Sequence, residues 1–169
     1  MRIFLIGFMG SGKSSLGREL AHKLGLSFID IDTYIEQKTS SSIAGIFNMQ
    51  GEEKFREIEH QCLQELMLAE NVVIATGGGT PCFHNNMEII NKNGISIYIK
   101  LNAGILASRL VDDKDKRPIL KFTDNTKSFR ENIEHLLETR EPCYLKANYI
   151  VEGKNISAKI IIEKLAGAI

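Results

Sequence analysis

The sequence lacks the features that mark a metal-cluster, secreted or membrane-spanning protein. Its three cysteines, Cys62, Cys82 and Cys143, are too scattered for a metal cluster and odd in number for a disulfide framework. We therefore expect reduced thiols in a cytoplasmic protein. The apolar run at residues 3–6 is far shorter than the roughly 20 residues that span a bilayer, and it leads straight into glycine and lysine. It predicts a buried first strand rather than a signal peptide.

An excess of basic charge is also missing. Lysine and arginine together number 21, as do aspartate and glutamate, so the formal net charge is zero. Proteins that bind nucleic acids or membrane surfaces usually carry a basic excess, and we expect neither partner here. A local basic site for a small anionic metabolite remains open.

No internal repeat or linker divides the 169 residues, which predicts a single domain at residues 1–169. Five short runs are apolar on both faces and predict strands of a parallel sheet, at residues 2–6, 27–31, 71–75, 95–101 and 149–151. Stretches with helical period alternate with them, at residues 13–24, 52–68, 126–145 and 155–166. This alternation predicts an α/β fold with an open sheet. The charged segment 112–128 has no clear period and predicts a mobile lid.

A glycine-rich loop follows the first strand and precedes the first helix. Residues 7–14 match the phosphate-loop pattern G-x-x-x-x-G-K-[ST] in full. Gly7, Gly10 and Gly12 allow the backbone to turn tightly, so that its N–H groups and the positive end of the helix dipole face an anion. In such loops the lysine, here Lys13, reaches the β- and γ-phosphates, and the hydroxyl, here Ser14, binds Mg²⁺. The loop predicts binding of a nucleoside triphosphate with Mg²⁺.

Two further patterns stand at the carboxyl ends of predicted strands, the edge where open α/β sheets hold ligands. The run 71–75 leads into Gly77, Gly78 and Gly79, whose bare backbone could meet a second ligand. The run 27–31 leads through Asp30 to Asp32, and strand alternation predicts that both carboxylates point to the same side. One carboxylate could hold a Mg²⁺-bound water and the other could orient an attacking hydroxyl, although either aspartate alone could be a helix N-cap.

Three arginines are candidates for binding an anionic acceptor or the transferred phosphoryl group. Arg56 precedes Glu59 by three residues on a predicted helix, where the carboxylate can hold the guanidinium in place. Arg140 lies near a predicted helix end, and a planar guanidinium suits a bidentate grip on a carboxylate. Arg117 belongs to the predicted lid, whose closure would bring its charge onto the phosphoryl group. A lone arginine can equally be a solvated surface residue.

Taken in order, these motifs resemble the shikimate kinase family. The resemblance rests on the loop 7–14, the aspartate pair, Phe55-Arg56-x-x-Glu59, the three glycines, Arg117-Pro118-Ile119-Leu120 and Arg140-x-x-x-Tyr144, and it covers nearly the whole chain. It implies a P-loop NTPase of the nucleoside-monophosphate-kinase type, a three-layer α/β sandwich around a five-stranded parallel sheet. It also implies a substrate-binding helical region at about residues 32–61. The implied reaction phosphorylates the 3-hydroxyl of shikimate with ATP, in the pathway to chorismate and the aromatic amino acids.

The resemblance also implies the roles of individual residues. The catalytic residues are Lys13, Asp32 and Arg117. The ATP site consists of Gly10, Ser11, Gly12, Lys13, Ser14, Ser15, Arg109 and Arg117. The shikimate site consists of Asp32, Arg56, Gly77, Gly78, Gly79 and Arg140, with Phe47 and Phe55 beside the substrate ring. The Mg²⁺ site consists of Ser14 and Asp30. The family's small-molecule substrates, ATP and shikimate, are the expected partners, and we expect a monomer.

Two other functions remain open on the sequence alone. A kinase for a nucleoside monophosphate or another small molecule would share the phosphate loop, but no clear second set of basic groups for an acceptor phosphate is visible. A nucleotide-dependent switch without catalysis would share it too. The sequence has no Asn-Lys-x-Asp run for reading guanine, and the aspartate pair favours catalysis.

Overall fold

The protein is described from a computed structural model, and the description applies to residues 1–111 and 128–167. Five strands are β1 (Arg2–Ile6), β2 (Ser27–Asp30), β3 (Val72–Ala75), β4 (Ile95–Lys100) and β5 (Tyr149–Glu152). Seven α-helices occur in these ranges: α1 (Lys13–Leu24), α2 (Ile31–Thr39), α3 (Ile43–Leu66), α4 (Asn86–Asn93), α5 (Ala103–Leu110), α6 (Phe129–Tyr144) and α7 (Ala158–Ala166). A short 3₁₀ helix spans Thr80–Cys82.

The five strands form one parallel sheet in the order β2-β3-β1-β4-β5. Alternate residues of β1 face opposite sides, so that Phe4 and Ile6 belong to one core cluster and Ile3 and Leu5 to another. The sheet is therefore buried on both faces between two helical layers. This confirms the α/β sandwich with a five-stranded parallel sheet.

The strand order determines where a ligand can bind. Leu5 of β1 pairs in register with Ala75 of β3, and Asp30 of β2 pairs with the same Ala75. The carboxyl ends of these three strands therefore lie side by side at one edge. The strands β2 and β3 lie on one side of β1, and β4 and β5 lie on the other. The connections therefore lead to opposite sides of the sheet at β1, and the loops that diverge there leave a crevice at the carboxyl ends of the strands.

The strand predicted at residues 27–31 is one residue too long, and this small error changes the expected position of Asp32. The β2 strand ends at Asp30, whose carboxylate accepts hydrogen bonds from the backbone N–H groups of Asp32 and Thr33 and caps α2. Asp32 is therefore helical. The prediction that strand alternation aligns Asp30 with Asp32 is wrong, because a capping interaction ends the strand between them.

Helix boundaries differ from the prediction where tertiary contacts or caps decide them. The α1 helix matches its predicted range, whereas α3 begins at Ile43 and bends at Gly51, whose φ of 80° is non-helical. A capping box of Ser128 and Glu131 starts α6 later than predicted. The short helices α4 and α5 were not predicted.

The predicted lid at residues 112–128 and Arg117 lie outside the described residues, apart from Ser128. In the described ranges no helix could span a membrane.

Candidate active site

The phosphate loop has the backbone that its glycines predict. Gly7, Gly10 and Gly12 all have positive φ values, of 149°, 77° and 88°. A Cβ on Gly7 would lie 2.8 Å from the carbonyl oxygen of Ile99, so a side chain there would collide with the end of β4. The residue before α1 is Gly12, which has no side chain to cap the helix. The first N–H groups of α1 therefore point into the loop, where an anion is their natural partner.

The lysine of the loop is held beside these N–H groups. The Nζ atom of Lys13 donates to the carbonyl oxygens of Gly7 and Phe8, at 2.8 and 2.9 Å. Only 8% of the Lys13 surface is exposed. A buried ammonium group acts on nearby charge more strongly than one in water, because little solvent screens it. The loop therefore combines oriented amides with one fixed positive charge.

Two oxygen atoms meet where α1 and β2 approach each other. The Ser14 hydroxyl donates to Oδ2 of Asp30 at 2.5 Å. The same carboxylate caps α2 through its Oδ1 atom, which holds its orientation. A hydroxyl and a carboxylate suit Mg²⁺, which usually takes one or two protein oxygens and completes its octahedron with water and phosphate. The donor set therefore fits Mg²⁺ bound together with a nucleotide.

A cavity of about 340 Å³ opens beside the loop. The guanidinium of Arg109 lies at this cavity and donates from Nη1 to the carbonyl oxygen of Gly10 at 3.2 Å. Four residues predicted for ATP line it, Ser11, Gly12, Ser15 and Arg109, together with five that the sequence did not reveal: Leu16, Glu19, Leu101, Lys154 and Ile156. The cavity can accept a planar base next to the phosphate loop.

The three glycines after β3 bring the other predicted residues together. A Cβ on Gly77 would lie 2.9 Å from Oδ1 of Asp32, and a Cβ on Gly79 would lie 2.5 Å from Nη2 of Arg56. A Cβ on Gly78 would lie 3.5 Å from Nη1 of Arg140 and 3.1 Å from the backbone nitrogen of Met9 in the phosphate loop. The glycines are thus where α2, α3, α6 and the phosphate loop meet, and bare backbone is what permits the approach.

Arg56 is fixed on three sides. Its Nη1 atom donates to Glu59 at 2.8 Å and its Nη2 atom to Glu52 at 3.0 Å, while Phe83 lies under the guanidinium at 4.3 Å. Glu59 is itself buried and accepts a hydrogen bond from the hydroxyl of Thr80. Such partners lock the orientation of a guanidinium and leave its charge in a weakly solvated place. The predicted Arg56–Glu59 pair is present, and Glu52 and Phe83 are additions from the structure.

Arg140 is buried with a donor unused. It is 6% exposed, and among the described residues its Nη1 atom has no hydrogen-bond partner. The ring of Phe8 lies 5.8 Å from its Cζ atom. A buried guanidinium N–H without a partner is costly. An anionic group placed between Arg140 and the glycines would satisfy it, with a charge-assisted hydrogen bond.

Tyr144 fixes the middle glycine, Gly78, through a hydrogen bond. Its hydroxyl donates to the carbonyl oxygen of Gly78. Burial raises the pKa of Tyr144 far above its usual value, so the phenol is protonated at neutral pH and acts as the donor. Because its carbonyl oxygen is bound to Tyr144, the Gly78 peptide has a fixed orientation beside Arg140.

The predicted residues thus fall into two adjacent groups. One group lies around the phosphate loop and contains Gly10, Ser11, Gly12, Lys13, Ser14, Ser15, Asp30 and Arg109, and the other lies around the three glycines and contains Asp32, Arg56, Gly77, Gly78, Gly79 and Arg140. Sequence spacing could have found Glu52, since it stands four residues before Arg56 on the same helix. No local signal pointed to Phe83 or Lys154.

Comparisons with known proteins identify this arrangement. Residues 9–169 match the family model described as shikimate kinase. The shikimate kinase of Parabacteroides distasonis is 42% identical over 168 residues, covering 99% of this chain and 96% of that protein. The chain belongs to the shikimate kinase family. A shikimate kinase of Bacteroides fragilis is 45% identical over 165 residues, which cover 96% of this chain and 90% of that protein.

Solved structures agree with this assignment. Shikimate kinase from Acinetobacter baumannii in complex with shikimate superposes with a TM-score of 0.87 at 34% identity, covering 99% of this chain and 91% of that one. The enzyme from Bacteroides thetaiotaomicron gives 0.86 at 38% identity, with 99% and 97% covered. A deoxyadenosine kinase from M. mycoides, at 0.59 and 20% identity, shares the fold alone. This shikimate kinase family member is therefore a kinase with the P-loop NTPase fold.

Proposed function

We propose that this protein transfers the γ-phosphoryl group of ATP to the 3-hydroxyl of shikimate. The observation that carries the proposal is the convergence of Arg56 and Arg140 on the three glycines, next to the phosphate loop. Two guanidinium groups from different helices suit a carboxylate, and shikimate carries one. The Nη1 atom of Arg140 lacks a partner among the described residues, which favours an anionic ligand at this point.

Within this proposal, Asp32 positions the attacking hydroxyl. Its Oδ1 atom lies close to Gly77, and the next two glycines are the ones that Arg140 and Arg56 approach. A substrate carboxylate held by the arginines would leave the hydroxyl face of the ring within reach of Asp32. The aspartate would accept the hydroxyl hydrogen bond, orient the oxygen and take its proton as the new bond forms. Because phosphoryl transfer depends mostly on alignment and charge neutralisation, this positioning contributes much of the rate.

On the donor side, Lys13 and the first N–H groups of α1 would bind the β- and γ-phosphates. Ser14 and Asp30 would hold Mg²⁺, which supplies further neutralisation of phosphate charge. Arg109 would lie against the adenine in the adjoining cavity. Arg117 would stabilise the transferred group from a lid at residues 112–128, a role assigned from the motif alone. Residues 32–61 would form the acceptor-binding region of one domain spanning residues 1–169.

We further propose that the enzyme is a cytoplasmic monomer. Its partners would be ATP and shikimate, and it would bind neither nucleic acid nor a membrane. Size-exclusion chromatography with light scattering tests the monomer. A mass near twice the chain's 18.9 kDa would contradict it.

A coupled assay of ADP release tests the reaction. We expect turnover with shikimate, and none above the Lys13→Ala background with gluconate or AMP as acceptor. Omitting Mg²⁺ and adding EDTA should abolish turnover. Preference for AMP would make the protein a nucleotide kinase, and ADP release independent of any acceptor would make it an ATPase; either result would overturn the proposal.

A further inference from the structure

Two cysteines that have no part in the proposed reaction lie against each other behind the acceptor site. Cys82 ends the 3₁₀ helix and Cys143 lies in the last turn of α6. The Sγ atom of Cys143 donates to the carbonyl oxygen of Pro81 at 2.8 Å, and Sγ of Cys82 lies 3.9 Å from the carbonyl oxygen of Arg140. Cys143 thus contacts the residue before Cys82, and Cys82 lies near the backbone one turn before Cys143, although the two stand 61 positions apart in the chain.

The third cysteine provides a natural comparison. Cys62 is 0% exposed in the core, whereas Cys82 and Cys143 are both partly accessible. Burial raises the pKa of the Cys62 thiol. A reagent in solution therefore meets Cys82 and Cys143 first.

The two partly exposed thiols differ in reactivity. A hydrogen bond that the Cys82 thiol donates to the Cys143 thiolate lowers the pKa of Cys143 and raises that of Cys82, and the Lys146 ammonium lowers the pKa of Cys143 further. Because the thiolate is the nucleophile in thiol–disulfide exchange, Cys143 is suited to attack first. Cys82 is then in place to resolve the mixed disulfide.

We infer that Cys82 and Cys143 form a dithiol site which a low-molecular-weight disulfide, RSSR, converts to an intrachain disulfide that weakens acceptor binding. The Cys143 thiolate attacks one sulfur of RSSR, forms a mixed disulfide and expels RS⁻. Cys82 then loses its proton, attacks the Cys143 sulfur and expels the second RS⁻. Two cysteine thiols are oxidised, one RSSR is reduced, and their two protons end on two RSH molecules.

The position of the site explains why the bridge should affect the acceptor. Cys82 follows Gly79 by three residues, and Cys143 follows Arg140 by three. A disulfide holds its sulfur atoms about 2 Å apart, closer than two hydrogen-bonded thiols, so it pulls the 3₁₀ helix and α6 together. That movement shifts Arg140 relative to the glycines. Formation of the bridge does not depend on the proposed function, but its effect on shikimate binding rests on it.

The test treats the full chain with oxidised glutathione and maps peptides without reduction. We expect a Cys82–Cys143 linked peptide in the wild type and in the Cys62→Ser control. In Cys82→Ser, Cys143 should instead retain a glutathione adduct, because the resolving thiol is missing. Cys143→Ser should acquire little adduct. Absence of the linked peptide, or equal labelling of the two single variants, would overturn the dithiol site.

Kinetics on the same samples test the consequence. The oxidised wild type should show a shikimate KM raised about tenfold, since a displacement of about 1 Å at a binding group can cost up to about 100-fold. The KM for ATP should not change, and dithiothreitol should restore the shikimate KM. After the same oxidation, the double variant Cys82→Ser/Cys143→Ser should have the shikimate KM of the reduced wild type. A linked peptide with an unchanged shikimate KM would overturn the coupling. Failure of the reduced enzyme to use shikimate would refute the proposed function. The peptide map would still show whether the disulfide forms.

Discussion

Replacing Gly79 by alanine tests the acceptor site with a single methyl group. Gly79 has φ of −94° and ψ of −20°, which alanine adopts without strain, so the backbone should be unaffected. The new Cβ would lie 2.5, 2.6 and 2.7 Å from three atoms of the Arg56 guanidinium. Since carbon and nitrogen atoms pack at roughly 3.5 Å, the guanidinium must move by roughly 1 Å. Glu52, Glu59 and Phe83 oppose that movement.

The expected cost is confined to the acceptor. A displacement of this size at a binding group reduces kcat/KM for shikimate by about 10- to 100-fold, which corresponds to about 1.4 to 2.8 kcal/mol. The KM for ATP should remain the same, because the three atoms nearest the new Cβ all belong to Arg56 rather than to the phosphate loop or Arg109. Gly104→Ala is a matched control, since its added Cβ would meet no atom closer than 3.4 Å. Its kcat/KM should equal that of the wild type.

A double-mutant cycle with Arg56→Ala attributes the effect to the collision. Removing the guanidinium removes the clash, so Gly79→Ala should cost less than about twofold in the Arg56→Ala background. The measurement is kcat/KM for shikimate in the ADP-release assay, with thermal melting to confirm that all variants are folded. Additive losses, or equal losses for shikimate and ATP, would refute the assigned contact.

Three further substitutions test individual groups. Lys13→Ala should lower kcat by about 100-fold or more in a protein that remains folded, because a buried positive charge at the phosphates is lost; near-normal turnover would contradict its role. Asp32→Asn should keep ATP affinity, measured by calorimetry, and lower kcat by about 100- to 10,000-fold; an unaltered kcat/KM would assign Asp32 to structure alone. Arg56→Lys should raise the shikimate KM by about tenfold or more, since an ammonium group cannot form the guanidinium fork; an equal KM would remove Arg56 from the acceptor site.

The phosphate loop and the sheet beneath it were predictable because their information is local. Residues 7–14 are consecutive, and their positive φ values follow from glycine at the required positions. The range of α1 was predicted correctly because its apolar period and its flanking glycines agree. Strands apolar on both faces predicted the parallel sheet for the same reason, since each run of four to six residues carries its own signal.

Errors arose where two local signals compete. Asp30 fits both the end of a strand and the cap of a helix, and the structure uses it as both, which moves Asp32 from the strand into α2. The two carboxylates nevertheless lie at the same edge of the sheet with different neighbours, because Asp30 bonds to Ser14 and Asp32 lies beside Gly77. The sequence therefore placed both aspartates at this edge for a reason that was partly wrong.

By itself, the sequence determined the phosphate loop, the sheet that supports it and the kinds of side chain available to an acceptor. Only the tertiary structure decided that Arg56 meets Gly79 and that Arg140 meets Gly78, because contacts between residues 23 and 62 positions apart depend on how α3 and α6 pack around the edge of β3. The same packing places Cys82 against Cys143 and opens the cavity between Arg109 and Lys154. Backbone conformation is encoded nearby in the chain, whereas the juxtaposition of side chains follows from the burial of whole elements against one another.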